Sequence, residues 1–149
     1  MIEMSINTMK AEVESVKGLK TVSHVRDFEF TMDEPKNLGG TDTGMNPVEA
    51  LLSAVGGCKV IAAQSYARAH KIKLNHIKIT VTGDLDTDGF TGKNPDAKVG
   101  LMNLKTHYQF DADNTEEELA AFADFIDATC PVIDTISNAP EMERTIEIL

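Results

Sequence analysis

The 149-residue sequence contains no tryptophan, two cysteines and 5% aromatic residues. Two cysteines cannot build the dense disulfide framework of a small secreted scaffold. They stand 72 positions apart, so there is no CxxC redox or zinc spacing. The four histidines, His24, His70, His76 and His107, are scattered singly, and no metal is expected. Basic charge is also scarce: 14 Lys and Arg face 24 Asp and Glu, a net charge of −10. Phosphate contacts are made by Lys and Arg, so this balance argues against nucleic acid and against an anionic membrane surface. No apolar run reaches the roughly 18 residues that a bilayer span needs. No Gly-rich phosphate loop follows a strand and no nucleophile elbow is present, so no cofactor is expected. The first ten residues lack a basic start followed by an apolar stretch, and a cytoplasmic location is expected. At this length one domain, residues 1–149, with one core is expected.

What the sequence does have is a long apolar segment, Asn46-Pro-Val-Glu-Ala-Leu-Leu-Ser-Ala-Val-Gly-Gly-Cys58 and beyond. Asn46 can cap a helix, Pro47 suits the first helical position, and Glu49 completes a capping box. The cationic cluster Arg68-Ala-His70-Lys71 suits the far end. The spacing predicts a helix of roughly 24 residues, apolar on most sides and so buried on most sides. At about 100° per residue, Cys58 shares a face with Leu51, Ala54, Val55, Ile61, Ala62 and Ser65. Gly56 and Gly57 before it each cost about 1 kcal/mol against Ala inside a helix. Close approach of another backbone would justify them, and so would room for a small molecule beside the sulfur.

Around this helix the chain alternates in the manner of strands. Residues 8–17 and Thr21–Met32 form an expected hairpin about Gly18-Leu19, with Arg26 on the mainly apolar side beside His24, Phe28 and Phe30. Arg26 there either snorkels to water or aims into a site. A loop follows through Gly44. Leu74–Leu85 and Gly100–Ala112 read as two more strands, with residues 86–98 as a polar loop. Asn114-Thr-Glu-Glu-Glu118 starts a second capped helix that ends near Thr129, because Cys130 precedes Pro131. Pro131 opens a short helix with Cys130 at its cap, and Arg144–Leu149 alternates as a closing strand. The expected order is β-β-α-β-β-α-α-β, an α+β fold with sheets wrapped around a central helix.

Thiol chemistry is what remains for a site. Cys130 at a helix cap would have its thiolate stabilised by backbone N–H groups, whereas burial would raise the pKa of Cys58 unless a cation lies near. Electrostatics alone names Cys130 the more acidic thiol. Two unrelated structural cysteines are the bland alternative.

The helix motif ending in Gly-Gly-Cys58, the strand pair after it and Cys130-Pro131-Val132 together resemble the OsmC/Ohr family, the osmotically inducible and organic hydroperoxide resistance proteins. The resemblance runs from about Asp33 to the C-terminus. It implies an intertwined homodimer with sites at the subunit interface, a peroxidatic cysteine at Cys58 and a resolving cysteine at Cys130. The implied function is thiol-dependent reduction of an organic hydroperoxide in oxidative or osmotic stress, with the resulting disulfide reduced by an external dithiol. A non-catalytic ligand-binding or redox-sensing protein of the same fold is the alternative. The family's catalytic glutamate falls on Val48 here, with the acid one position later at Glu49, on the opposite side of a regular helix from Cys58. Glu49 is therefore both a catalytic candidate and a capping residue. Arg26 is the inward candidate for the family's arginine.

Overall fold

A computed structural model describes residue 2 and residues 4–149. They fall into two compact units, Met1–Leu51 and Leu52–Leu149.

The first unit holds three antiparallel strands in a meander, β1 (Glu12–Lys17), β2 (Lys20–Val25) and β3 (Phe28–Met32). The single strand expected over Thr21–Met32 is two, because the chain reverses at Arg26-Asp27, with Val25 opposite Phe28. Arg26 takes the left-handed conformation, φ 54°, that such a tight hairpin turn needs. After β3, a single buried carboxylate organises the loop. Asp33 accepts hydrogen bonds from the backbone N–H groups of Glu34, Thr41 and Thr43 and from both threonine hydroxyls. The Thr41 hydroxyl foremost, with the Glu34 and Thr43 donors, holds Asp33 far below the usual carboxylate range. The loop delivers the chain to Asn46, whose side chain accepts from the Glu49 N–H while the Glu49 carboxylate accepts from the Asn46 N–H, both at 2.8 Å. The expected capping box is formed.

The helix it starts, α1 (Pro47–Tyr66), is 20 residues long and runs into the second unit. There β4 (Leu74–Thr82) and β5 (Lys105–Ala112) pair antiparallel, with Ile77 opposite Phe110, Ile79 opposite Tyr108 and Val81 opposite Thr106. The polar stretch between them contains one short helix, α2 (Thr87–Phe90), capped by Asp86. Helix α3 (Glu116–Thr129) begins with a complete Thr115–Glu118 capping box, and α4 (Pro131–Ser137) follows with Cys130 as its cap. Pro131 explains the break, since it disfavours helical backbone at Cys130 yet fits the first position of the next helix.

Core packing joins these elements. Ala62, Ala63 and Ala67 from the α1 region meet Ile77 of β4 and Phe122 and Ile126 of α3 in one cluster, with Tyr108 and Phe110 of β5 packed against it. Burying a side chain such as Phe122 or Ile126 is worth about 1.5–3 kcal/mol. On α1, only Val55, Lys59, Ala62 and Ala63 are buried, and Ile61 is 65% exposed. The apolar character of α1 thus exceeds what the single chain covers. The strand expected over Arg144–Leu149 does not form; residues 138–149 lie outside helices and strands, and 139–149 are exposed. Among the described residues the order is β-β-β-α-β-α-β-α-α, still an α+β arrangement. No helix of the described residues is long and apolar enough to cross a membrane.

Candidate active site

Two stretches carry the thiols. On α1, a Cβ at Gly56 would touch a methyl of the Val81 side chain at 3.4 Å, an ordinary contact, and one at Gly57 would meet nothing within 4 Å. Neither glycine is approached by another backbone. The Thr129-Cys130-Pro131 break places Cys130 at the junction of α3 and α4, where it is 1% exposed. Cys58 is half-buried, and its thiol is hydrogen-bonded to the side chain of Cys130. Both cysteines are free.

The start of α4 supplies polar contacts to both sulfurs. Pro131 has no N–H, so the first two donors of the helix belong to Val132 and Ile133. The Val132 N–H reaches the Cys58 sulfur, and the Ile133 N–H reaches the Cys130 sulfur at 3.5 Å. These are orphan donors of a helix end, satisfied by thiols. Burial, followed by the hydrogen bond to Cys130, pushes the Cys58 thiol up from its ordinary value. The Val132 N–H and the Lys59 charge pull it down less strongly. The sequence expectation of a raised Cys58 is met.

A group that sequence reading passed over lies beside the thiols. Lys59 is 3% exposed, and its Nζ donates to Asp127 Oδ1 at 2.7 Å and to Thr106 Oγ1 at 3.1 Å, lying 5.5 Å from the centre of the Tyr108 ring. The Tyr108 hydroxyl donates to the same Asp127 oxygen. Burial first, then that hydrogen bond to a carboxylate, pushes the phenol above its usual range. The signal in the sequence was a lone charge inside the apolar run Val55–Ala63, since a buried lysine must be paired.

The other two candidates lie in the first unit. Arg26 is an exposed turn residue rather than a strand-face residue, its guanidinium 5.0 Å from the centre of the Phe28 ring. Glu49 is the carboxylate of the α1 capping box. Among the described residues, no group of three or more His, Cys, Asp or Glu side chains could hold a metal ion.

The sequence profile of the OsmC-like protein family matches residues 40–144, a span that includes both cysteines and the capped helix. The chain belongs to the OsmC-like family. Proteins named hydroperoxide reductase from Mycoplasma pneumoniae and Mycoplasma genitalium are each 30% identical to it. The matches extend over 123 and 124 residues, 81% and 82% of both partners respectively. The crystal structure of an OsmC-like protein from Mycoplasma pneumoniae superposes with a TM-score of 0.76 at 26% identity, covering 89% of each chain. An organic hydroperoxide resistance protein OsmC from Legionella pneumophila superposes with a TM-score of 0.71 at 19% identity, over 91% of this chain and 93% of that one, a likeness in fold alone. In this OsmC-like chain, the two thiols and the Lys59–Asp127 pair all lie on the part matched by the family profile.

Proposed function

We propose that this OsmC-like protein is a thiol-dependent peroxidase that reduces organic hydroperoxides. The observation that carries the reading is the meeting of its only two cysteines, both free, with the thiols hydrogen-bonded to one another. The names of its relatives from the two Mycoplasma species point the same way. In the first step the Cys58 thiolate attacks the distal oxygen of the hydroperoxide. The O–O bond breaks, the alkoxide takes a proton and leaves as the alcohol, and Cys58 becomes a sulfenic acid. In the second step the Cys130 sulfur attacks the Cys58 sulfur, an S–S bond forms and water leaves. An external dithiol then reduces the disulfide and both thiols are restored. The cycle calls for no cofactor, and it suits a cytoplasmic setting in which thiols are kept reduced.

Because Cys58 holds its proton above the ordinary thiol range, the first step needs an added cation near the sulfur. Arg26 is the candidate, and Arg26→Ala would raise the pH at which Cys58 is alkylated if that residue serves; Glu49, a carboxylate, could serve only by orienting such a cation. The exposed side of α1, with Leu51, Ile61 and Tyr66, supports a homodimer as the working form. Light scattering at micromolar concentration should give twice the chain mass; a monomer would remove the interface from the proposal.

A redox-sensing protein that oxidises once without turning over is the second reading, favoured by Val48 at the family's glutamate position. Steady-state consumption of cumene hydroperoxide with dithiothreitol separates the two. Turnover that disappears in Cys58→Ser supports the peroxidase. A single stoichiometric oxidation with no turnover supports the sensor, and no loss of thiols at all rejects both.

A further inference from the structure

We propose that the ion pair between buried Lys59 and half-exposed Asp127 is a clamp that holds Cys130 against Cys58 for disulfide closure. Both are positioning residues rather than groups that touch the peroxide. The clamp serves the resolving step of the proposed cycle and rests on that reading for its biological role.

Chain placement is the first argument. Lys59 directly follows Cys58 on α1, and Asp127 precedes Cys130 by three residues in the last turn of α3. The ion pair therefore ties together the same two elements that a Cys58–Cys130 disulfide would tie. Its geometry is fixed from a third side, because Thr106 of β5 accepts from Lys59 and Tyr108 of β5 donates to Asp127. Disulfide formation tolerates little error: Cα atoms must lie within about 7 Å and the sulfurs must meet near a right-angled torsion. Phe122 and Ile126 anchor α3 by non-directional packing, whereas a hydrogen-bonded ion pair fixes its final turn in rotation and height.

Two other roles for Lys59 fit less well. As an activating cation it is badly placed, since its charge is neutralised by Asp127 at 2.7 Å. Its pull on Cys58 is weaker than the effects of burial and of Cys130, and the thiol stays raised. As a pure stabiliser it is a poor choice, since burying the Lys59 ammonium costs desolvation that an apolar side chain of similar size would not incur.

The test titrates the disulfide in the 149-residue chain with glutathione, a readout that needs no peroxide. Two thiols and oxidised glutathione give the Cys58–Cys130 disulfide and two reduced glutathiones, and the equilibrium constant is the effective concentration of the pair. Lys59→Met removes the cation while leaving Asp127, whose side chain is 48% exposed, open to water and bonded to Tyr108. Asp127→Asn keeps an acceptor for Tyr108 and removes the charge. Each single variant should lower the effective concentration by about tenfold, which is about 30 mV in potential for this two-electron couple. The double variant should be no worse than either single one, because both disrupt one interaction.

An effective concentration within about twofold of the parent in both single variants, less than the smallest usual coupling, would overturn the clamp. Fully additive effects would overturn it too, marking two independent structural roles. So would an alkylation midpoint of Cys58 that rises in Lys59→Met while the disulfide equilibrium stays put, which would make Lys59 the activating cation. Should Lys59→Met fail to fold, Asp127→Asn and thermal melts of each variant carry the comparison. Failure of the parent protein to lose its thiols to cumene hydroperoxide would reject the peroxidase reading alone, and the glutathione titration would still decide the clamp.

Discussion

Cys130 is both the end of α3 and the cap of α4, and in that position its side chain is hydrogen-bonded to the thiol of Cys58 without a disulfide between them. Four expectations follow from this arrangement and from the core that supports it.

In Cys130→Ser, the hydroxyl can still accept from Ile133 and cap α4, so the fold should persist. Nothing would then resolve an oxidised Cys58. After one equivalent of cumene hydroperoxide, mass spectrometry should find Cys58 as sulfenic acid or, with excess, as sulfinic acid. An intact protein with Cys58 still reduced would show that Cys130 is the thiol that meets the peroxide.

The reactivity of Cys58 should climb with pH across the alkaline range. Burial and the Cys130 hydrogen bond raise its pKa, so the thiolate forms only above the ordinary thiol value, about 8.5. Iodoacetamide alkylation of Cys130→Ser, followed between pH 7 and 11, measures the midpoint. Loss of the Cys130 thiol removes one of the raising influences, so a midpoint still above 8.5 would assign the rest to burial. A midpoint near neutrality would mean that a cation absent from these contacts stabilises the thiolate.

Alkaline stability should fall as the unfolded-state thiol and phenol values are passed, about 8.5 and 10. Cys58 and Tyr108 are both raised in the folded protein and keep their protons longer than in the unfolded chain. Their contribution is fully present below those values and is lost as pH rises from them through the raised folded-state values. Tyr108→Phe should flatten the part above pH 10. Thermal melts from pH 7.5 to 11 check this; an unchanged slope in Tyr108→Phe would refute the assignment.

Ile126→Ala empties a fully buried site between α3 and the α1–β4 packing. It should cost about 2–5 kcal/mol in urea unfolding. A cost below about 1 kcal/mol would mean that neighbouring side chains collapse into the gap.

The sequence by itself determined the local starts and stops. Asn46-Pro47 with Glu49, Thr115 with Glu118, and Cys130-Pro131 each define a helix boundary through contacts within four residues, and each was legible and correct. Alternation exposed β4 and β5 for the same reason, although their ends lay inside the expected spans. Short-range patterns failed where two conformations share one pattern. Thr21–Met32 alternates without a break, yet Arg26 and Asp27 turn the chain, and no glycine or asparagine at those positions announces it. Arg144–Leu149 alternates as a strand would, but among the described residues no strand pairs with it, and unpaired alternation makes no sheet.

Only the tertiary structure decided the site. The two cysteines are 72 residues apart, and their meeting depends on α1 and α3 sharing one core cluster through Ala62, Ala63, Phe122 and Ile126, a long-range packing that no local spacing encodes. Lys59 is the clearest case. Its neighbours marked it as a charge in an apolar run, but its partner Asp127 lies 68 residues further on. A buried charge declares that it must be paired; which carboxylate pairs with it is settled by how the helices and β5 close over it.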